Sequence, residues 1–187
     1  MRSLRVPTKS SIPSNPGSTI MMKIELEGEK VRFYRLYICF AALKTGFIEG
    51  CRPIVGLDGC HIKGPHPGQL LAAVGIYENN GMYPIAYAIV EIENKSTWTW
   101  FLDLFKNDFG INNGLSWVFI TDKQKSLIPV ETLFPSAEYR HCVGHLYNNF
   151  KLLHKGLELK QRLWAAARAT TVPWFNVEMS SLQKLDD

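Results

Sequence analysis

Two carboxylates in this sequence stand where they could share a cation. Asp58 follows the apolar run of "IVGLDGCHIKG", Ile54 to Gly64, and Asp122 follows that of "WVFITD", Trp117 to Asp122. Such runs read as buried strands. An ionised carboxylate at the end of one is costly unless it is paired, hydrogen-bonded or bound to a cation. Either aspartate alone is accounted for as a turn or helix cap. As a pair, 64 residues apart and each the first acid after a strand, they could hold Mg²⁺ or Mn²⁺, which favour oxygen ligands. Two such ions ~3.5–4 Å apart activate the attacking oxygen and stabilise the leaving one in phosphodiester cleavage.

Other polar groups offer weaker chemistry. His61, three residues after Asp58, reads as an exposed turn histidine or a nearby polar group. Glu91 and Glu93 share a strand face at period 2, just before a helix start, which suggests the solvent side. Between Tyr139 and Ala169, Arg140, Lys151, Lys155, Lys160, Arg162 and Arg168 face a single acid, Glu158. On helices these cations could contact phosphates with salt-sensitive, sequence-independent affinity. They could equally be a solvated face, with Leu146, Phe150 and Leu153 supplying the buried side at i, i+4 and i+7. Trp98, Trp100 and Trp164 read as core rather than as base-stacking platforms.

These residues need elements to position them. "RPIVGLDGC", "GQLLAAVGIYENNG" and "MYPIAYAIVEIEN" are three β-like runs, the last two joined at Asn79-Asn80-Gly81, and predict an antiparallel meander. "STWTWFLDLFKNDFG" predicts a helix capped by Ser96 or Thr97, with Trp98, Phe101, Leu102 and Phe105 on one face, closing at Asn112-Asn113-Gly114. A strand from Trp117 to Thr121, a short helix in "PVETLFPS" and a strand in "AEYRHCV" follow. Residues 144–169 turn helical with a break at Lys155-Gly156, and "TTVPWFNVEMSSLQKLDD" opens a further helix. Residues 22–48 read as a helix or as a strand followed by a helix. The resulting order β-β-β-α-β-α-β-α is that of a ribonuclease-H-like fold, an α/β mixed sheet flanked by helices, whose first and fourth strands are neighbours.

Composition sets the frame. The 187 residues, 46% hydrophobic and 20% charged, suit a globular chain with one sizeable core. A net charge of +4 is compatible with a polyanionic partner. Residues 1–20 hold three prolines and five serines and predict a disordered leader; 21–52 read as a flanking segment and 53–187 as the main domain. The start has no apolar signal region, and the longest apolar candidate, "LYICFAALKTGF", is short and contains Lys44, so an intracellular chain without a membrane span is expected. Cys39, Cys51, Cys60 and Cys142 form no CxxC pair and are expected as reduced thiols, mostly in the core.

"GCRPIVGLDGCHIKG", "GQLLAAVGIYENNGMYPIAYAIVEIENKSTWTWFL", "ITDKQKSL" and "YRHCVGHLYNNFK" resemble successive blocks of the transposase domain of plant Mutator-like elements (MULE), in order and spacing over roughly residues 35–175. The resemblance implies a ribonuclease-H-like core with a DDE acid triad, which uses two Mg²⁺ ions to cut DNA and join it to a target in the nucleus. It makes Asp58 the first acid and Asp122 the second, and gives Cys142 and His145 the family's C-x-x-H signature. Those two could supply half a metal site or pack beside the pocket. The third acid is sought in an Asn-x-x-Glu-like helix. Glu178, 56 residues after Asp122, is the last glutamate, but Phe175 and Met179 beside it read as core positions of a preceding helix. The expectation is therefore a catalytic-core fragment, truncated at its C-terminus, with weak or absent turnover and weak, non-specific DNA binding. Whether it self-associates stays open. The rival is a non-enzymatic, DNA-associated regulator of the kind found among domesticated plant relatives, including the far-red-response regulators.

Overall fold

The computed structural model describes residues 3–6, 15–27, 30–77, 79, 81–122 and 127–185. Its elements run β1 (Ser3–Val6), β2 (Thr19–Glu27), β3 (Lys30–Cys39), α1 (Ala41–Gly50), β4 (Ile54–Ile62), β5 (Gly68–Ile76), β6 (Met82–Val90), α2 (Lys95–Phe109), β7 (Val118–Thr121), α3 (Leu127–Leu133), β8 (Glu138–His141), α4 (Val143–Leu153), α5 (Leu157–Arg168) and α6 (Val172–Gln183). The strands form one sheet in the order β1-β2-β3-β6-β5-β4-β7-β8. It is mixed: β4, β5 and β6 form the antiparallel meander, whereas β4 and β7 run parallel. Two compact units divide the chain, Met1–Arg140 and His141–Asp187.

Alternation explains the strands of the first unit. In β5, every second residue of GQLLAAVGI is buried, the signature of a strand with one face on a core. Pro84 is tolerated in β6 because pairing with β3 is confined to Tyr87–Ile89, so its missing N–H faces no β3 partner. On its other side, opposite Val74, the ladder shifts register between Ala73 and Val74.

Helix α2 closes the core. Trp98, Phe101, Leu102 and Phe105 are at most 1% exposed and pack with Tyr37, Val55, Leu57, Leu71 and Phe119. Its cap is Asn94 rather than Ser96 or Thr97. The Asn94 side chain accepts from the Thr97 N–H at 3.0 Å while Thr97 Oγ1 accepts from the Asn94 N–H at 3.0 Å, a capping box. Thr97 is instead the reciprocal half of that box. The helix ends at Gly110, in the left-handed region at φ 59°, ahead of the expected Asn112-Asn113-Gly114 stop.

The region left open as helix or strand-then-helix, residues 22–48, is most of a β2–β3 pair followed by α1. Ser18 and Asn15 lie within or just before the expected leader's end, and their side chains accept from the Ala41 and Ala42 N–H groups that open α1. The leader also contributes β1, paired antiparallel with Met22–Glu25; its residues 1, 2 and 7–14 lie outside the described residues. A buried carboxylate ties these pieces to α2. Asp108 accepts from Thr19 Oγ1, from Tyr37 Oη at 2.8 Å and from Lys44 Nζ at 3.0 Å. Burial, with Cys39 and Asp108 alongside, drives the Tyr37 phenol far above its ordinary range. Burial likewise pushes the Cys39 thiol up to about 12. Cys39 is buried as expected of a core thiol, Cys51 and Cys142 are half-buried, and Cys60 is exposed.

The second unit holds three helices. Gly156, at φ 140°, separates α4 from α5. Thr171 caps α6, with Pro173 in its first turn. Among the described residues no helix is long and apolar enough to cross a membrane.

Candidate functional site

The two aspartates of the first unit are brought together by register. Parallel pairing of β4 and β7 runs Ile54↔Val118, Val55↔Phe119, Gly56↔Ile120, Leu57↔Thr121. Asp58 and Asp122 are each the next residue. Neighbouring strands lie ~4.8 Å apart, so the two aspartates follow paired positions on adjacent strands. Val55, Leu57, Phe119 and Thr121 are buried on the α2 side. Alternation therefore sends Asp58, and Asp122 one residue past its strand, to the opposite face.

Asp58 does not end its strand. β4 continues through Gly59 to Ile62, paired residue by residue with β5 down to Ile62↔Gly68. Backbone pairing carries this polar stretch, which apolar patterning alone could not reveal. Asp58 is exposed, and its Oδ1 accepts from the Gly59 N–H at 2.8 Å, which orients the carboxylate. Its register partner on β5 is Ala72, whose methyl leaves space beside it. Asp122 is half-buried. Its strand is held by Phe119, which stacks on Trp117 at 6.2 Å and on Phe134 at 4.7 Å between ring centroids. Thr121 is buried, with no hydrogen-bond partner for Oγ1 among the described residues.

The far face supports the Asp58 backbone. A Cβ at Gly59 would meet Glu93 Cδ at 2.9 Å, so only glycine lets that carboxylate lie against β4. Glu93 Oε1 accepts there from Trp98 Nε1 at 3.1 Å. This is a contact that sequence reasoning missed, since it joins residues 59, 93 and 98 only in space; the Gly after Asp58 was its one trace. Glu93 is half-buried rather than on the solvent side. Glu91 is paired: Arg35, 5% exposed, donates Nε to Oε2 at 2.8 Å and Nη2 to Oε1, and Tyr34 Oη donates at 2.9 Å. Burial raises the Glu91 carboxyl, but the hydrogen bonds from Arg35, from its own backbone and from Tyr34 outweigh it and hold the group below the usual carboxylate range. His61 lies within β4, not in a turn, on the face opposite Asp58. Its Nδ1 is 3.1 Å from Nε2 of the buried Gln69.

In the second unit Cys142 occupies the N-cap of α4 and His145 stands three residues on, at i and i+3 of one turn. His145 Nδ1 is buried without a hydrogen-bond partner among the described residues. Glu178, on α6, accepts from Arg162 Nη1 at 3.3 Å and from Trp174 Nε1 at 3.3 Å, so its carboxylate ties α5 to α6. Among the basic residues, Arg140 ion-pairs with Glu138 and Arg162 with Glu178. Lys151, Lys155, Lys160 and Arg168 are exposed and take part in no ion pair among the described residues. Among those residues no three His, Cys, Asp or Glu side chains gather as a metal-holding group.

Residues 54–149, from the first residue of β4 into α4, match the MULE transposase domain. The chain belongs to the MULE transposase domain family. The match takes in Asp58, Asp122, Cys142 and His145, and stops before Lys151 and Glu178. No curated protein matches the sequence. Among solved structures, a chain from the cryo-electron microscopy structure of a simian T-cell lymphotropic virus intasome in complex with PP2A regulatory subunit B56 gamma shares 14% identity at a TM-score of 0.32. That alignment covers 67% of this MULE-domain chain and 46% of the other chain.

Proposed function

We propose that this chain is a DNA-cleaving transposase core of the DDE type, with Asp58 and Asp122 as the acids that hold Mg²⁺ or Mn²⁺. The observation that supports the reading is the Leu57↔Thr121 register, since Asp58 and Asp122 are each the next residue along adjacent parallel strands. The order β6-β5-β4-β7-β8, with α2 between β6 and β7, supports a ribonuclease-H-like fold. An all-oxygen pair on adjacent strands fits a hard divalent cation. When bound, that cation activates the attacking oxygen and stabilises the leaving one. The chain's own groups orient and hold: the Gly59 N–H fixes one Asp58 oxygen, and Ala72 keeps the flank open for a phosphate. Lys151, Lys155, Lys160, Arg162 and Arg168 supply non-specific affinity for the DNA backbone. In cleavage, water forms a bond to phosphorus as the P–O3′ bond breaks, freeing a 3′-hydroxyl. In strand transfer, the oxygen of that hydroxyl forms a bond to phosphorus of a target phosphodiester as the target's own P–O3′ bond breaks, and the proton passes to the released 3′-oxygen.

Turnover is weak in this reading, because two carboxylates make an incomplete ligand set and Glu178 is occupied by Arg162 and Trp174. The same observation favours a second reading, a DNA-associated regulatory protein descended from plant transposases and related to the far-red-response regulators. Both readings place the protein in the nucleus. Mn²⁺ titration followed by electron paramagnetic resonance tests the pair: Asp58→Asn and Asp122→Asn should each weaken binding about tenfold or more. Binding indifferent to both substitutions would remove the metal site. Nicking of supercoiled plasmid separates the two readings. Slow, Mn²⁺-dependent nicking lost in both variants supports the enzyme, and its absence supports the regulator.

A further inference from the structure

Tyr147 on α4 and Trp164 on α5 meet with ring centroids 6.4 Å apart and planes at 51°. Both are half-buried, so each ring keeps part of its surface in solvent. Cations converge on them. Lys151 and Lys160 each place Nζ 5.5 Å from the Tyr147 centroid, and the Arg168 guanidinium carbon lies 5.7 Å from that of Trp164. The pattern is built by helical spacing. Lys160, Trp164 and Arg168 follow at i, i+4 and i+8 on α5, and Tyr147 and Lys151 at i and i+4 on α4. Cation and ring therefore alternate along both helices.

Two ammonium groups gathered at one ring repel each other, and no carboxylate among the described residues pairs with them. Long stems let the lysines swing from ring to ligand. What relieves the repulsion is an anion, and what uses the vacated ring faces is a flat π-system. A duplex offers phosphates but hides its base faces in the stack. An unpaired strand offers both, at successive nucleotides. We propose that the Tyr147–Trp164 face of the second unit binds an unpaired DNA strand, with Lys151, Lys160 and Arg168 on phosphates and the two rings stacked on bases. The choice of DNA rests on the transposase reading above; the preference for unpaired bases rests on the rings.

Fluorescence anisotropy on the full chain tests it, using a labelled oligothymidylate, an abasic strand of equal length, the corresponding duplex and an oligouridylate RNA. The thymidylate should bind about tenfold more tightly than the abasic strand or the duplex. Tyr147→Leu with Trp164→Leu should lower its affinity to the abasic level while leaving the abasic and duplex affinities unchanged, and Tyr147→Phe with Trp164→Phe should restore it. Lys160→Gln and Arg168→Gln should weaken every arm and reduce the slope of log affinity against log salt by about 0.7 for each cation removed. Equal binding of abasic and base-bearing strands, or a preference for duplex, would overturn the stacking surface; tighter RNA binding would overturn the assignment to DNA. Asp58→Asn with Asp122→Asn should leave all four affinities intact, and the Tyr147/Trp164 variants should leave Mn²⁺ binding intact. Failure of this surface is thereby distinct from failure of the metal pair.

Discussion

The two compact units bury very different amounts of apolar surface. In the first, Tyr37, Val55, Leu71, Ile85, Phe101, Leu102, Phe105 and Phe119 reach zero exposure in one continuous cluster. In the second, Ala166 and Leu182 are the only buried apolar residues described, while Leu152, Leu153, Leu157, Val172 and Val177 are more than 60% exposed. The difference matches the chemistry proposed for each. A carboxylate pair sharing a cation works only at fixed spacing, and a close-packed sheet supplies that rigidity. A surface that follows a flexible strand through long lysine stems and part-exposed rings tolerates looser packing.

Core truncation gives the largest effect and the sharpest break between the units. Phe101→Ala leaves a cavity under β3 and α2, where the ring also meets Tyr37 and Trp98 edge-on. It should cost about 3–5 kcal/mol in urea unfolding of the whole chain. Trp164→Leu, at the half-buried ring of the second unit, should change stability by less than about 1.5 kcal/mol. A similar cost at the two sites would break the contrast.

How far the sequence foretold each unit follows the same division. The meander, the α2 face and the two aspartates were legible because period-2 and period-3.6 patterns report burial directly. So was the adjacency of β4 and β7, expected of the ribonuclease-H-like strand order, although their parallel direction was not. What could not be read was anything set by contacts across the chain. Asn94 caps α2 because Thr97 answers it, and the adjacent Ser96 looks as good in one dimension. β4 runs on through Asp58 because β5 lies beside it, although DGCH carries no apolar alternation. Glu93 turns inward because Gly59 makes room and Trp98 donates. In the second unit the basic residues were visible, yet Trp164 read as core, since a sequence does not show that the helices around it bury so little. Residues 123–126, after Asp122, lie outside the described residues.

An ion pair in the first unit predicts a middle-sized effect with a pH signature. Arg35 is buried and Glu91 accepts from it twice, with Tyr34 as a third donor. Glu91→Gln should cost about 1.5–3 kcal/mol at neutral pH, the range for hydrogen bonds to charged groups. Because folding holds the Glu91 carboxyl below its ordinary range, its contribution is complete above the unfolded carboxylate's pKa. It is lost as pH falls through the lowered folded value. Urea midpoints of the two proteins should therefore converge as the solution is acidified below the usual carboxylate range. A gap that widens there would reverse the sign and sink the assignment.

The corresponding pair in the second unit should matter least. Arg162 Nη1 lies 3.3 Å from Glu178 Oε2, and the Arg162 side chain is 43% exposed, so solvent and salt screen the attraction. Glu178→Gln keeps an oxygen for Trp174 Nε1 and removes the charge alone. The expected loss is about 0–1 kcal/mol, falling toward zero at high salt. The substitution also bears on catalysis, because Glu178 is the last glutamate of the sequence. If the carboxylate serves only to tie α5 to α6, any Mn²⁺-dependent nicking should survive Glu178→Gln at the wild-type rate. A near-neutral stability change accompanied by complete loss of nicking would instead make Glu178 the third acid, and the second unit would then owe its loose packing to something more demanding than strand binding.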